Sequence, residues 1–287
     1  MGATSNLRDI ISAAIPYVMA RRKETGGFGA TPRLPATIQD TYHALNILKL
    51  ARHYGAPVED GYDSTGDKNL HNYLAACRLR LQVDARTRFQ LLRSSQIAGQ
   101  FIDRGAVGKK IAAFMQTTAI LEECYYHLRV LQEVLDSDAS DFTGVAIPDM
   151  IKVAITAGKF RTVVEAWMHL YLAGFTGYRL SQTESELISW FQNSQNSDGG
   201  FGFFPRTTSF VENCHASLRA LAFLQATPLH PERAFRFLTG CQTVSGGFGR
   251  ASRAAPFLDT TWYALAALQI LSEQMNHNPQ NGPKNYA

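Results

Sequence analysis

Apolar residues recur every three or four positions along most of the chain, and β-branched residues never alternate over more than a few positions, so the pattern predicts helices and almost no strand. Two kinds of helix alternate. One kind is an Ala/Leu-rich run that opens on a carboxylate followed by an aromatic or histidine: 40–48, 123–131, 165–172, 212–221 and 259–268. The other kind is more polar and precedes each run: Leu7–Arg22, Leu70–Leu81, Gly108–Thr117, Pro148–Ala157, Glu184–Ser194 and Pro231–Cys241. The first leucines of the runs (Leu45, Leu128, Leu170, Leu218, Leu265) stand one or two periods of about 42–48 residues apart. The one double gap predicts a sixth, degenerate copy at Arg88–Ala98. The expected fold is all-α: six helical hairpins closing into a ring, Ala/Leu/aromatic helices inside and amphipathic ones outside.

A repeated turn, Gly-Gly-Phe-Gly, falls at Gly26–Gly29, Gly199–Gly202 and Gly246–Gly249, with Gln195 and Gln242 four residues ahead of the last two copies. Tyr54–Lys68 and Asp136–Pro148 read as polar connections, and no linker divides the chain. One domain over 1–275 is expected, with 276–287, rich in Asn and Pro, as a disordered tail.

Composition adds exclusions. With 45% hydrophobic and 18% charged residues and a net charge of +4, the chain has material for a core and tolerates an anionic ligand, but shows no dense basic face for nucleic acid. Its four cysteines are scattered without a Cys-x-x-Cys pair, which favours a reducing compartment. No apolar run has the length of a membrane span and no secretory leader is visible, so a cytoplasmic location is expected.

Chemistry concentrates in Gly199–Leu221, where Arg206, Glu212, Cys214 and His215 fall within ten positions. Carboxylates at the starts of the runs (Asp40, Glu123, Glu165, Glu212, Asp259) suit helix N-termini as caps. In a closed ring these termini gather at one mouth of a central cavity, near His43, His127, Cys124, Cys214 and His215. Tyr42, Tyr125, Trp167, Trp262 and Tyr263, a turn deeper, would line an apolar funnel suited to a long hydrocarbon with a charged head.

The glycine turn, carboxylate, aromatic and Ala/Leu helix at this period resemble the repeat of protein prenyltransferase β subunits and squalene/oxidosqualene cyclases, most strongly over 26–50 and 190–273. The resemblance implies an α/α toroid. The cyclases' Asp-x-Asp-Asp motif and the thioester proteins' Gly-Cys-Gly-Glu-Gln are absent, whereas Val211-Glu212-Asn213-Cys214 is similar to the transferases' Val-Asp-x-Cys. That likeness implies transfer of a prenyl group to a thiol acceptor, assisted by zinc on Glu212 and Cys214, with Cys214 and Asp259 as catalytic groups. Thr260 occupies the position of the family's third ligand, a histidine, leaving Asp259 or His215 to complete the set. Arg206, His215 and Arg250 would hold the diphosphate, and Tyr42, His43, Tyr125, Trp167 and Trp262 the isoprenoid chain. A cation at Arg250 is similar to the arrangement that needs no magnesium. An α-subunit-like protein is an expected partner. Two further readings stand: a toroid that binds an isoprenoid or a protein without catalysis, and a terpene-cyclase-like enzyme acting through Asp259 or Asp40.

Overall fold

The computed structural model describes residues 3–58, 61–79, 84–117, 120–137, 160–176 and 182–276. Among them the helices are α1 (Ala3–Met19), α2 (Ile38–His53), α3 (Lys68–Leu79), α4 (Ala85–Ile97), α5 (Arg104–Thr117), α6 (Leu121–Arg129), α7 (Val163–Thr176), α8 (Glu184–Asn193), α9 (Val211–Phe223), α10 (Pro231–Thr239) and α11 (Leu258–Asn276). The inner ring is α2, α4, α6, α7, α9 and α11; each packs on the next, and α11 closes on α2. Outer helices α3, α5, α8 and α10 each lie on the inner helix that follows them, and α1 packs on both α11 and α2. This is an α/α toroid. The degenerate copy is the inner helix α4. The outer helix expected at 148–157 and the tail beyond Asn276 lie outside the described residues.

Among the described residues the strand content is a pair of two-residue strands, Phe248–Gly249 and Pro256–Phe257, in the loop before α11. That loop belongs to the repeated turn, whose logic is close packing. In each copy the phenylalanine (Phe28, Phe201, Phe248) is fully buried, each contributing about 2–3 kcal/mol of hydrophobic stabilisation. Gly246 has φ +89, and a Cβ there would lie 1.8 Å from the carbonyl oxygen of Ala13 in α1. Only glycine lets the turn rest on that backbone. Gln242 donates to the carbonyls of Gly246 and Ile10, and the Tyr17 hydroxyl donates to Pro256, so the last repeat is stitched to the first helix.

One buried hydrogen bond recurs in all three copies. The phenylalanine N–H donates to a side chain thirteen residues on: Phe28 to Thr41 Oγ1 (3.0 Å), Phe201 to Cys214 Sγ (3.3 Å) and Phe248 to Thr261 Oγ1 (2.9 Å). Buried N–H groups require acceptors, and here two threonines and one cysteine fill a single structural role.

Candidate functional site

Inner helices share one direction where a described outer helix, α3, α5, α8 or α10, carries the chain back between them. Their side chains therefore face the axis in levels. The fifth residues of α2, α4, α6, α7, α9 and α11 are Tyr42, Phe89, Tyr125, Trp167, His215 and Trp262, and all six line one central cavity of about 1030 Å³. At 1.5 Å per residue this ring of rings lies about 6 Å below the helix starts. One turn above it, at the mouth, stand Arg86, Val164, Glu212 and Asp259, with Arg250 and Phe257 from the loop before α11. One turn below it, the ninth residues of α4, α6 and α9 are Arg93, Arg129 and Arg219. The spacing of one, four and eight residues past the helix start keeps these side chains on a single helix face.

The aromatic level is held rigidly. Trp167 Nε1 donates to the Tyr125 hydroxyl (3.1 Å), and Tyr42 meets Phe89 edge-on at 5.6 Å. Tyr263 sits between His215, stacked at 5.0 Å, and His43, at 5.5 Å. Burial, with the nearby arginine charges, drives the imidazole of His43 down to about 3 and that of His215 well below its ordinary value. Both rings are therefore neutral near pH 7 and belong to the wall rather than to a cationic cradle. Burial first, against opposing arginine charge, raises the hydroxyls of Tyr42, Tyr126 and Tyr263, which stay protonated.

The ionic levels differ. At the mouth Arg250 forms an ion pair with Glu212 and stacks over Phe210 at 4.0 Å. Below the rings Arg129 grips Glu133 with two hydrogen bonds of 2.5 and 2.9 Å. Burial disfavours the Glu133 carboxylate, but Arg129, Arg219 and Arg93 outweigh it and hold its pKa below the ordinary value. Glu133 stands where α6 gives way to a π-helical turn, Val130–Val134, a local irregularity often found at functional sites.

Several sequence-predicted residues come together here: Tyr42, His43, Tyr125, Trp167, Trp262, His215, Arg250, Glu212 and Asp259 all line the cavity. Arg206 does not. It lies exposed in a loop pinned by Thr207, which bonds to the main chain of Phe204, and by Asn196, which donates to the carbonyl of Thr207. Its φ of +70 belongs to that outward turn. Cys214 is likewise absent from the lining and fully buried, its thiol engaged by Phe201 N–H and its pKa raised by burial. Asp40 and Glu165 act locally, Asp40 accepting from Thr37 and Glu165 pairing with Arg161, and neither reaches the cavity.

The donor set does not fit the zinc ion that the resemblance implies. Cys214 serves the turn as Thr41 and Thr261 do, Glu212 is engaged by Arg250, and the Thr260 hydroxyl donates to Phe248 O at 2.6 Å. Among the described residues no three His, Cys, Asp or Glu side chains are grouped to hold a metal. Sequence reasoning also missed Arg86, Arg93, Arg129, Arg219 and Glu133. For the four arginines the signal was a charge three or four places from a cavity aromatic, as in Arg86-x-x-Phe89-x-x-x-Arg93, and Glu133 stands four places beyond Arg129.

A family model described as the prenyltransferase alpha-alpha toroid domain matches residues 2–92 and 157–284. The chain belongs to that family. No curated protein matches it. No helix among the described residues is long and apolar enough to cross a membrane.

Proposed function

We propose that this toroid binds an isoprenoid diphosphate in its central cavity and transfers the prenyl group to a nucleophilic acceptor. The observation that carries the reading is the level of six aromatic rings, one from each inner helix, around a cavity of about 1030 Å³. An apolar chain fits between such faces, and their negative π-clouds suit positive charge developing on an allylic carbon. In the transfer the C1–O bond breaks, diphosphate leaves with the bonding electrons, and the acceptor forms the new bond to C1 and loses its proton.

The test is titration with farnesyl and geranylgeranyl diphosphate, followed by quenching of tryptophan fluorescence, since Trp167 and Trp262 both face the cavity. Saturable quenching is expected, weakened about tenfold or more in Trp167→Ala, together with a prenylated thiol product by mass spectrometry. Absence of quenching by both lipids overturns the reading. Quenching without product or diphosphate release supports a second reading, a binding toroid without turnover, which the engagement of Cys214 by the turn favours.

A further inference from the structure

The three glycine turns share more than their buried phenylalanine. Seven residues after the first glycine of each copy stands an arginine: Arg33, Arg206 and Arg253. All three are exposed, and among the described residues no hydrogen bond, ion pair or ring contact engages their guanidinium groups. The loops that carry them are nevertheless fixed. The N–H of Thr207 donates to the carbonyl of Phe204 (3.2 Å), and that of Ala254, at the same place in its copy, to the carbonyl of Ala251 (3.1 Å). In the first copy the N–H of Leu34 donates to Thr31 Oγ1 instead (3.2 Å). Arg206 and Arg253 take φ of +70 and +65, a backbone region that disfavours residues with a Cβ. Arginines held outward there, with no partner within the described chain, point to a partner outside it.

These loops lie side by side. The N–H of Val211 donates to the carbonyl of Arg250 (2.9 Å), joining the loop before α9 to the loop before α11. Tyr17 and Arg21, at and just past the end of α1, join the loop before α11 to the loop before α2: the Tyr17 hydroxyl donates to Pro256 O and Arg21 Nε to Ala30 O. The three loops therefore form one continuous arc of the cavity mouth. Within four positions of each arginine stands a large apolar side chain that is exposed: Leu34, Phe204 and Phe257. Phe257 also lines the cavity, so the arc runs into its entrance.

We propose that this arc docks the cavity mouth on an anionic membrane surface. Exposed arginines without counter-ions call for phosphate or carboxylate groups, and a leaflet of acidic lipids presents these over an area rather than at one point. Apolar side chains on three separate loops make no single groove for a folded partner, but each can enter the boundary between headgroups and acyl chains. The cavity entrance then faces the bilayer, and an apolar ligand passes into it without crossing water. That route rests on the proposed isoprenoid binding; the docking surface does not.

Sedimentation of the full chain with lipid vesicles tests the docking. Wild type should bind mixed phosphatidylcholine–phosphatidylserine vesicles but not pure phosphatidylcholine vesicles, and the binding should weaken as salt rises. Arg33→Gln, Arg206→Gln and Arg253→Gln should each weaken it about fivefold. Phe204→Ser and Leu34→Ser should weaken it as well, with melting temperatures unchanged because these side chains reach into solvent. Arg8→Gln, exposed in the first half of α1, serves as the control and should bind as wild type does. Failure to sediment with the acidic vesicles overturns the proposal, as does binding that Arg8→Gln weakens as much as the loop variants. Retention on immobilised polyglutamate that needs the same arginines, without vesicle binding, would assign the arc to an acidic protein partner and overturn it equally. If the vesicles bind as stated but farnesyl and geranylgeranyl diphosphate leave tryptophan fluorescence unchanged, the docking surface stands and the isoprenoid reading fails.

Discussion

The toroid has two arcs built by different means. In α11, α2 and α9 each inner helix is preceded by the glycine turn, with its buried phenylalanine and its N–H bond to a side chain thirteen residues on. The sequence ahead of α4 and α6 carries no Gly-Gly-Phe-Gly turn. These helices are held by side-chain chemistry: Arg88 donating to His127, which stacks on Phe114, and Arg129 clasping Glu133. The turn arc is backbone architecture repeated, and its cavity charges cancel. The second arc contributes Arg86, Arg93, Arg129 and Glu133 to the cavity lining and lies mostly where the family model does not match. Shared structure and individual chemistry are thus separated around the ring.

The largest effect follows from striking the backbone of the turn arc. Gly246→Ala drives a methyl into the Ala13 carbonyl at a positive φ and should destabilise the fold by about 4 kcal/mol or more. Gly108, in α5 of the other arc, has Leu135 as its nearest neighbour at 3.6 Å, an ordinary contact. Gly108→Ala should be neutral or stabilising by up to about 1 kcal/mol, because alanine favours helix. Chemical denaturation of both variants measures the contrast, and equal losses would erase the distinction between the arcs.

This division also explains what was legible in sequence. The ring, the alternation of helices and the aromatic funnel were readable because Tyr42, Trp167 and Trp262 repeat at one register. Cys214 misled because its neighbours resemble a metal motif, while its counterparts, Thr41 and Thr261, differ from it in name and share its hydrogen bond. Arg206 misled because a loop residue's direction depends on φ, which no periodicity encodes. Arg93, Arg129 and Arg219 were missed because their equivalence appears only when the true first residue of each helix is known.

A smaller effect links the arcs through pH. His43 is buried neutral, with its pKa near 3 against about 6.5 when unfolded. Below 6.5 the unfolded chain binds the proton that the folded state refuses, so stability falls as the pH drops from 6.5 towards 3. The loss attributable to this residue is about 2 kcal/mol by pH 5. His127, held down to about 4 by burial and by Arg88, acts in the same direction from the other arc. Denaturation midpoints at pH 7.5 and 5.0 should differ less in His43→Gln than in wild type; an unchanged difference would mean that the ring accepts the proton when folded.

The smallest effect is the most discriminating for Cys214. If its thiol is the third instance of the turn's acceptor, threonine should replace it as Thr41 and Thr261 do in their own copies. Cys214→Thr is then expected within about 0.5 kcal/mol of wild type, with isoprenoid binding retained. Cys214→Ala leaves the buried Phe201 N–H without an acceptor and should lose about 1.5 kcal/mol. A thiol needed for chemistry gives the other ordering: both variants lose activity equally, whatever their stability. Measuring stability and turnover on the same two proteins therefore separates a residue that belongs to the turn from one that belongs to the cavity.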